Sequence, residues 1–459
     1  MASTVQSLKA DTSLRGILIL TVPISMSKLI PELNYLFNAG FLGELSPLAL
    51  SMAGITGVYY LIFSAIGYGI NNALLSIMSR RAGENNREEI FSTLFHGLIL
   101  AFLVATATIL MTNIGITELL RWAGTAEDGI ELAAPYLKIR IWGLLFLFAM
   151  QMQNAYLISL QKSHFILIAS LFAAVSNIVL DYGLIFGRWG MPELGFNGAA
   201  YASIISEGIG MLIVFGVIYG SGISKKLGIP IVFRFSKNQL ALVTSQALPL
   251  MGQYAISTAA WWFFFILVAR NYTVAEQGIT QAMRNLFGLG GVFSWAFGSA
   301  TNTIISNLIG QGRQDAVFST IRKLSLISVG GMSLFVLYLN VDPSLFLGWF
   351  GQGGDFMEHA LTPLRIVTSA MIILCFGVIW LNAVVATGKT KIVFWIEFIG
   401  IVLYSVYVYY VIEVQQWSLS VAWMSEWVYW IGLMLMSMLY LKFGAWREDD
   451  HLSGNVKNS

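Results

Sequence analysis

Residues 176–207 read SNIVLDYGLIFGRWGMPELGFNGAAYASIISE. Two apolar runs flank a short stretch rich in Gly with one Pro, which describes one helix ending, a tight reversal and a second helix beginning. An acid, Asp181, stands inside the first run, and Asn177 lies four residues before it on the same helical face. The second run opens on Gly198, Ala199, Ala200 and Ala202, small residues that let helices approach closely, and it places Ser203 and Glu207 on one face. A charged side chain at the centre of a bilayer costs about 2.5 kcal/mol or more, so an acid retained there marks function. A carboxylate beside an amide oxygen offers hard ligands for Na+, and a single titratable carboxylate suffices for H+.

The whole chain shares the character of this stretch. Of 459 residues, 57% are hydrophobic and only 11% charged, with a mean hydropathy of +0.72, whereas an ordinary soluble protein carries about 25% charged residues. Lipid must be the solvent for most of the chain. Disorder, a disulfide scaffold and nucleic-acid binding are excluded together, since the net charge is only +2 and Cys375 is the single cysteine. A helix needs about 20 apolar residues to cross the hydrocarbon core. Twelve spans are expected near 17–43, 47–78, 91–113, 133–160, 164–187, 196–220, 239–270, 275–309, 321–341, 359–386, 391–413 and 417–443. The expected fold is all-α integral membrane. Its organisation is an N-terminal lobe over 1–220, a linker over 221–238, a C-terminal lobe over 239–443 and a tail over 444–459. With the N-terminus inside, eighteen Lys and Arg fall on the inner side and six, Arg140 among them, on the outer side. Both termini are therefore expected in the cytoplasm, in a bacterial inner membrane. The polar start lacks a cleavable signal peptide, so the first span is expected to remain.

The halves repeat. The second span ends INNALLSIMSRRAGENNREEIFST and the eighth ATNTIISNLIGQGRQDAVFST, about 230 residues on; NAYLISLQK and NAVVATGKT end the fourth and tenth. Six is an even number of spans, so the halves are parallel repeats about an axis along the membrane normal, a transporter pattern with the substrate site between them. Pro23 and Pro31 in the first span and Pro249 in the seventh each remove a backbone hydrogen bond.

Other polar groups inside the spans are candidates for substrate contact or coupling. Lys28 and Glu32 stand four residues apart in the first span, followed by Asn34 and Asn38. Gln253 and Ser257 lie on the seventh span, and Gln281, Arg284 and Asn285 on the eighth. Lys28 and Glu32 are expected to neutralise one another. Arg284 calls for an anion, either a protein carboxylate such as Glu397 or Glu426 or an acidic group of the substrate. No phosphate-binding loop, metal-ligand spacing or catalytic constellation is present, so an enzyme and a tightly held cofactor or metal are not expected.

The 176–207 stretch resembles the fifth- and sixth-helix signature of the multidrug and toxic compound extrusion (MATE) family, and the twelve-span layout agrees. The resemblance implies two six-helix lobes in a V, related by a pseudo-two-fold axis. It implies a secondary antiporter that exports amphipathic, cationic organic compounds in exchange for H+ or Na+. Carried over by residue, Asn177 and Asp181 match the cation site, and Ser203 falls where the family often has a hydroxyl. The first-helix acid of that site falls at Asn38, and an acid some members carry on the seventh helix falls near Ser257; both are neutral here. Na+ at Asp181 and Asn177 stays open, but one carboxylate favours H+, and Glu32 and Glu207 could substitute for the missing acid. The partners expected are a small-molecule substrate and membrane lipid, with the chain a monomer. The alternative is a flippase or metabolite exporter of the wider superfamily.

Overall fold

The computed structural model describes residues 7–348 and 353–447, and among these there is no strand. Helix α1 (Leu14–Leu45) starts where the Ser13 side chain accepts from the Gly16 N–H. It runs unbroken through Pro23 and Pro31 to Ser46. That one extended residue makes the corner into α2 (Pro47–Gly83): its hydroxyl accepts from the Ala49 N–H, and Pro47 gives up a donor that would be orphaned at the first turn anyway. There follow α3 (Arg87–Trp122), α4 (Glu127–Arg140), α5 (Gly143–Ser159), α6 (His164–Phe186) and α7 (Phe196–Phe215). The turn between α6 and α7 depends on glycine: Gly187 sits at φ 64° and ends α6. A short α8 (Ile223–Lys226) lies in the connection to α9 (Lys237–Asn271). Then come α10 (Val274–Gly310), α11 (Val317–Val341), α12 (Ser344–Leu347), α13 (Gly353–Ala386), α14 (Thr390–Tyr409), α15 (Leu419–Trp423) and α16 (Ser425–Phe443).

Ten of the helices are long and apolar enough to cross a membrane, and α4 with α5, bent by 44° at their junction, makes an eleventh span. The twelfth is α10, as long as α2 at 37 residues but more polar. It buries Thr280, Ser294, Thr301, Asn302, Thr303, Ser306 and Asn307. A helix this polar is stable in the bundle because it packs against α13 on one side and α2 on the other.

The two halves pack alike. In the first, α6 packs on α7 and α1, and α5 on α2, α3 and α7; in the second, α14 packs on α16 and α9, and α13 on α10, α11 and α16. The lobes meet where α1 touches α10, α2 touches α9, and α2 touches α10. Along this last contact, equivalent residues of the two repeats meet one another. Asn302 Nδ2 donates to the Asn72 carbonyl at 3.0 Å, and the Ser76 and Ser306 hydroxyls are 3.2 Å apart. One turn further, Gly310 lies so close to the Arg80 carbonyl that a Cβ there would collide with it. Each pair is 230 residues apart, so the pseudo-two-fold axis runs between α2 and α10. The contacts lie towards the end of the bundle where α1 begins, termed the basal end below; the opposite end is distal.

Candidate functional site

Helices α1 and α6 run side by side in the same direction, so side chains four residues apart on each form matched rungs. Asn34 donates through Nδ2 to Asn177 Oδ1, and one turn later Asn38 Nδ2 donates to Asp181 Oδ2 at 3.2 Å. Asp181 is 0% exposed and Asn177 5%. Asp181 Oδ1, Asn34 Oδ1 and Asn177 Nδ2 are buried without a hydrogen-bond partner among the described residues. Buried polar atoms normally find partners. Two unfilled oxygens, one of them a carboxylate's, fit the binding of a proton or a small hard cation. Ser203, half-buried on α7, makes no hydrogen bond to any of these four residues.

A buried ion pair lies in the same lobe. Arg140 forks onto Glu207, with Nη1 2.9 Å from Oε2 and Nη2 2.5 Å from Oε1. Tyr60 donates to the same carboxylate at 3.0 Å, and the Arg140 guanidinium stacks 3.6 Å from the centroid of its ring. Gly143 leaves room for the pair, because a Cβ there would strike both Arg140 and Glu207. Arg140, counted among the outer-side cations, is buried inside the bundle at the bend between α4 and α5. Glu207 is committed to Arg140 and Tyr60 and is not hydrogen-bonded to the α1–α6 rungs. Arg140 does lie close enough to Asp181 to act on it electrostatically.

The C-terminal lobe holds a second buried carboxylate. Glu397 on α14, 1% exposed, accepts from Gln253 Nε2 at 3.2 Å and from the Tyr429 hydroxyl, which also lies 3.2 Å from the Ser257 hydroxyl. Glu426 accepts from Trp430 Nε1 at 3.0 Å. Neither acid serves Arg284. That guanidinium lies 3.5 Å from Gln281 Oε1 and 5.6 Å from the Phe265 ring centroid, and its charge reaches Glu32 across the lobe boundary. Lys28 and Glu32 do not pair either, because Lys28 Nζ turns onto the ring of Tyr68 on α2, 4.7 Å from its centroid. Glu32 and Arg284 thus act on one another across the lobe boundary, distal to the Asn72–Asn302 seam, with Gln281 beside Arg284 and Asn285.

Sequence reasoning missed the roles of Tyr60 and Arg140, and it noted Asn34 without placing it in the site. One signal was available for Arg140, which stands well inside the apolar run 133–160 with Gly143 one turn on. Nothing in the sequence joins Glu397 to Gln253, 144 residues away.

The MatE family model matches residues 23–183 and 249–411, one segment in each lobe. A probable multidrug resistance protein NorM of Thermotoga maritima is 23% identical over 439 residues, covering 94% of this chain and 92% of its own. Another protein of that name, from Synechocystis, is 24% identical over 330 residues, 70% of this chain and 69% of its own. Among solved structures, a MOP superfamily transporter from Pyrococcus furiosus superposes with a TM-score of 0.84 at 17% identity, covering 95% of this chain and 96% of the other. An outward-facing MATE family transporter does so with the same score and identity, over 93% and 94%.

Proposed function

The chain belongs to the MatE family of multidrug efflux transporters, and from that premise we propose that it is a secondary antiporter driven by H+. In this reading it exports amphipathic organic compounds bearing a cationic centre, by alternating access between its two lobes. The observation that carries it is the buried Asp181, with one oxygen held by Asn38 and the other unfilled. A proton needs one such group. Na+ is better stabilised by several oxygens and more than one carboxylate, and here the α1 partner is an amide. With the basic ends of the helices in the cytoplasm, the basal seam closes the inner side and the cleft opens outward. Asp181 then takes a proton from outside, and substrate leaves the cleft as the site loads.

The test is dye efflux from proteoliposomes with the two gradients imposed separately. Transport driven by a pH gradient in Na+-free buffer is expected. Robust transport at zero pH gradient with an inward Na+ gradient, lost when K+ replaces Na+, would reverse the ion assignment and make Asn177 and Asn34 oxygen ligands of the ion.

A further inference from the structure

The connection between the lobes carries charge and apolar surface that the transport reading leaves unused. Residues 221–238 hold Lys225, Lys226, Arg234 and Lys237 and no acid. Among these cations Ile231, Val232, Phe233 and Phe235 are exposed, Phe233 by 62%. The segment is nonetheless fixed in place. The Phe233 ring lies edge-on to Phe91 and Phe95 of α3 at 5.2 and 5.5 Å, and the Ser236 N–H donates to His96 Nε2 at 2.9 Å. Beside it, at the basal end, a cavity of about 760 Å³ lies between the connection and the turn from α2 to α3. Asn85, Asn86 and Arg87 line it from the turn, and Lys225 and Ile231 from the connection; Glu88 is the one acid among the described lining residues. Arg87 is held at the cavity by neutral acceptors. Its Nε donates to Asn85 Oδ1 at 2.9 Å and its Nη1 to the Leu227 carbonyl. Ile231 belongs both to the cavity wall and to the exposed apolar run, so the cations and the apolar surface are continuous.

We propose that this cavity binds the phosphate headgroup of an anionic phospholipid from the leaflet around the basal end, with the exposed apolar run of the connection set among the acyl chains. Apolar side chains framed by cations are the composition of a segment lying in the plane of a membrane interface. Long basic side chains bury their stems there and keep their charged heads at the level of the phosphates. Basic pockets between the ends of membrane helices suit anionic headgroups. The Arg87 guanidinium offers a planar fork that matches a phosphate, and the Asn85 and Asn86 amides add uncharged donors. A soluble anion satisfies the cations but leaves the apolar run uncovered. A zwitterionic lipid covers the run but brings its own cation against Arg87 and Lys225. An anionic lipid satisfies both. Such a lipid bridges the α2–α3 turn of the first lobe and the connection that leads into α9, so its binding stabilises the folded protein. The proposal concerns neither the coupling ion nor the exported compound and stands apart from that reading.

The experiment is lipid retention by the purified full-length protein in an uncharged detergent, read by native mass spectrometry, with thermal unfolding as a second readout. Phosphatidylglycerol (anion) and phosphatidylcholine (zwitterion) with the same acyl chains are titrated in turn. Wild-type protein is expected to hold phosphatidylglycerol the tighter and to be stabilised by it. Arg87→Gln with Lys225→Gln removes the charge-assisted contacts, so affinity for phosphatidylglycerol should fall about tenfold while that for phosphatidylcholine stays the same. Lys391→Gln with Lys442→Gln removes as much charge from the same end of the bundle, away from the cavity, and should leave both affinities unchanged. Lys225→Glu, an exposed change on the short α8, carries the test if loss of Arg87 unfolds the turn, and should also weaken phosphatidylglycerol alone. Inorganic phosphate should neither stabilise the protein nor displace the lipid. Equal retention of the two lipids by wild-type protein, or equal losses in the two double variants, would overturn the proposal, since only overall charge would then be sensed. Displacement of phosphatidylglycerol by inorganic phosphate would assign the cavity to a soluble anion and overturn the lipid as its source.

Discussion

Asp181 and Arg140 are two ways a bundle can tolerate a charge. Arg140 is matched in full: Glu207 takes its fork, and Tyr60 both donates to that carboxylate and lays its ring against the guanidinium. Asp181 is matched by half. A buried pair is costly to break, because the abandoned charge stays buried, and removing one partner typically costs about 3–5 kcal/mol. Arg140→Met should therefore lower the temperature at which detergent-purified protein keeps its monodisperse peak. Arg140→Met with Glu207→Leu should recover most of that loss. Equal stability of the single and double variants would show that the pair carries little. Asp181→Asn should behave in the opposite way. It removes a charge with no full partner and keeps the shape, so the protein should remain in the membrane, folded, while gradient-driven efflux falls to background. Asn177→Ala, which removes a neutral group beside the acid, should weaken coupling several-fold without abolishing it. Wild-type transport rates in Asp181→Asn would make that carboxylate structural.

At the scale of elements, one side chain ties several segments of the seam on the pseudo-axis together. Asn307 on α10 donates to the carbonyls of Leu8 and Ser79 at 3.0 and 3.1 Å and accepts from the Ala10 N–H at 2.8 Å. The chain ahead of α1 is thus tied across the basal end to the other lobe, and Lys323 fastens it again at the Thr12 carbonyl, 2.7 Å away. Each net hydrogen bond contributes about 0.5–1.5 kcal/mol, and an unsatisfied buried partner costs more. Asn307→Leu should loosen the basal seam, seen as faster alkylation of a cysteine placed at Ser76; an unchanged rate would mean that backbone packing alone closes it. The seam was partly legible beforehand, because INNALLSIMSRRAG and ATNTIISNLIGQG share their spacing. That spacing located the repeat, but it did not say that Asn72 and Asn302, or Ser76 and Ser306, touch their own counterparts. Apolar run length located the spans, α10 included, because its polar residues are small or amide and bear few charges. The carboxylate clusters stayed hidden for a simple reason. A rung between α1 and α6 joins residues 143 apart, and α14 meets α9 across 144. Helical periodicity orders neighbours within one helix and carries no information about which faces of different helices meet.

For the molecule as a whole, the two lobes are joined where α2 packs on α9 and α10 and where α1 packs on α10, and the contacts between equivalent residues of the two repeats lie basally on α2 and α10. In the proposed alternating-access cycle, the basal seam opens as the distal parts of the two lobes come together. Rigid-body rocking of this kind predicts that access is exclusive. In a Cys375→Ala background, a cysteine at Gln281 reports the distal cleft and one at Ser76 reports the seam. Cys375 is buried beside Ser294, so its removal leaves both reporters clear. With a membrane-impermeant maleimide on the distal side, Gln281→Cys should label and Ser76→Cys should not. From the basal side, conditions that raise Ser76→Cys labelling should lower that of Gln281→Cys in the same proportion. The substitution at Asn307 should shift both rates, in opposite directions and by matching factors. Labelling of both reporters from both sides under every gradient would describe a continuous aqueous path. That outcome would refute the alternating motion, whatever Asp181→Asn does to transport.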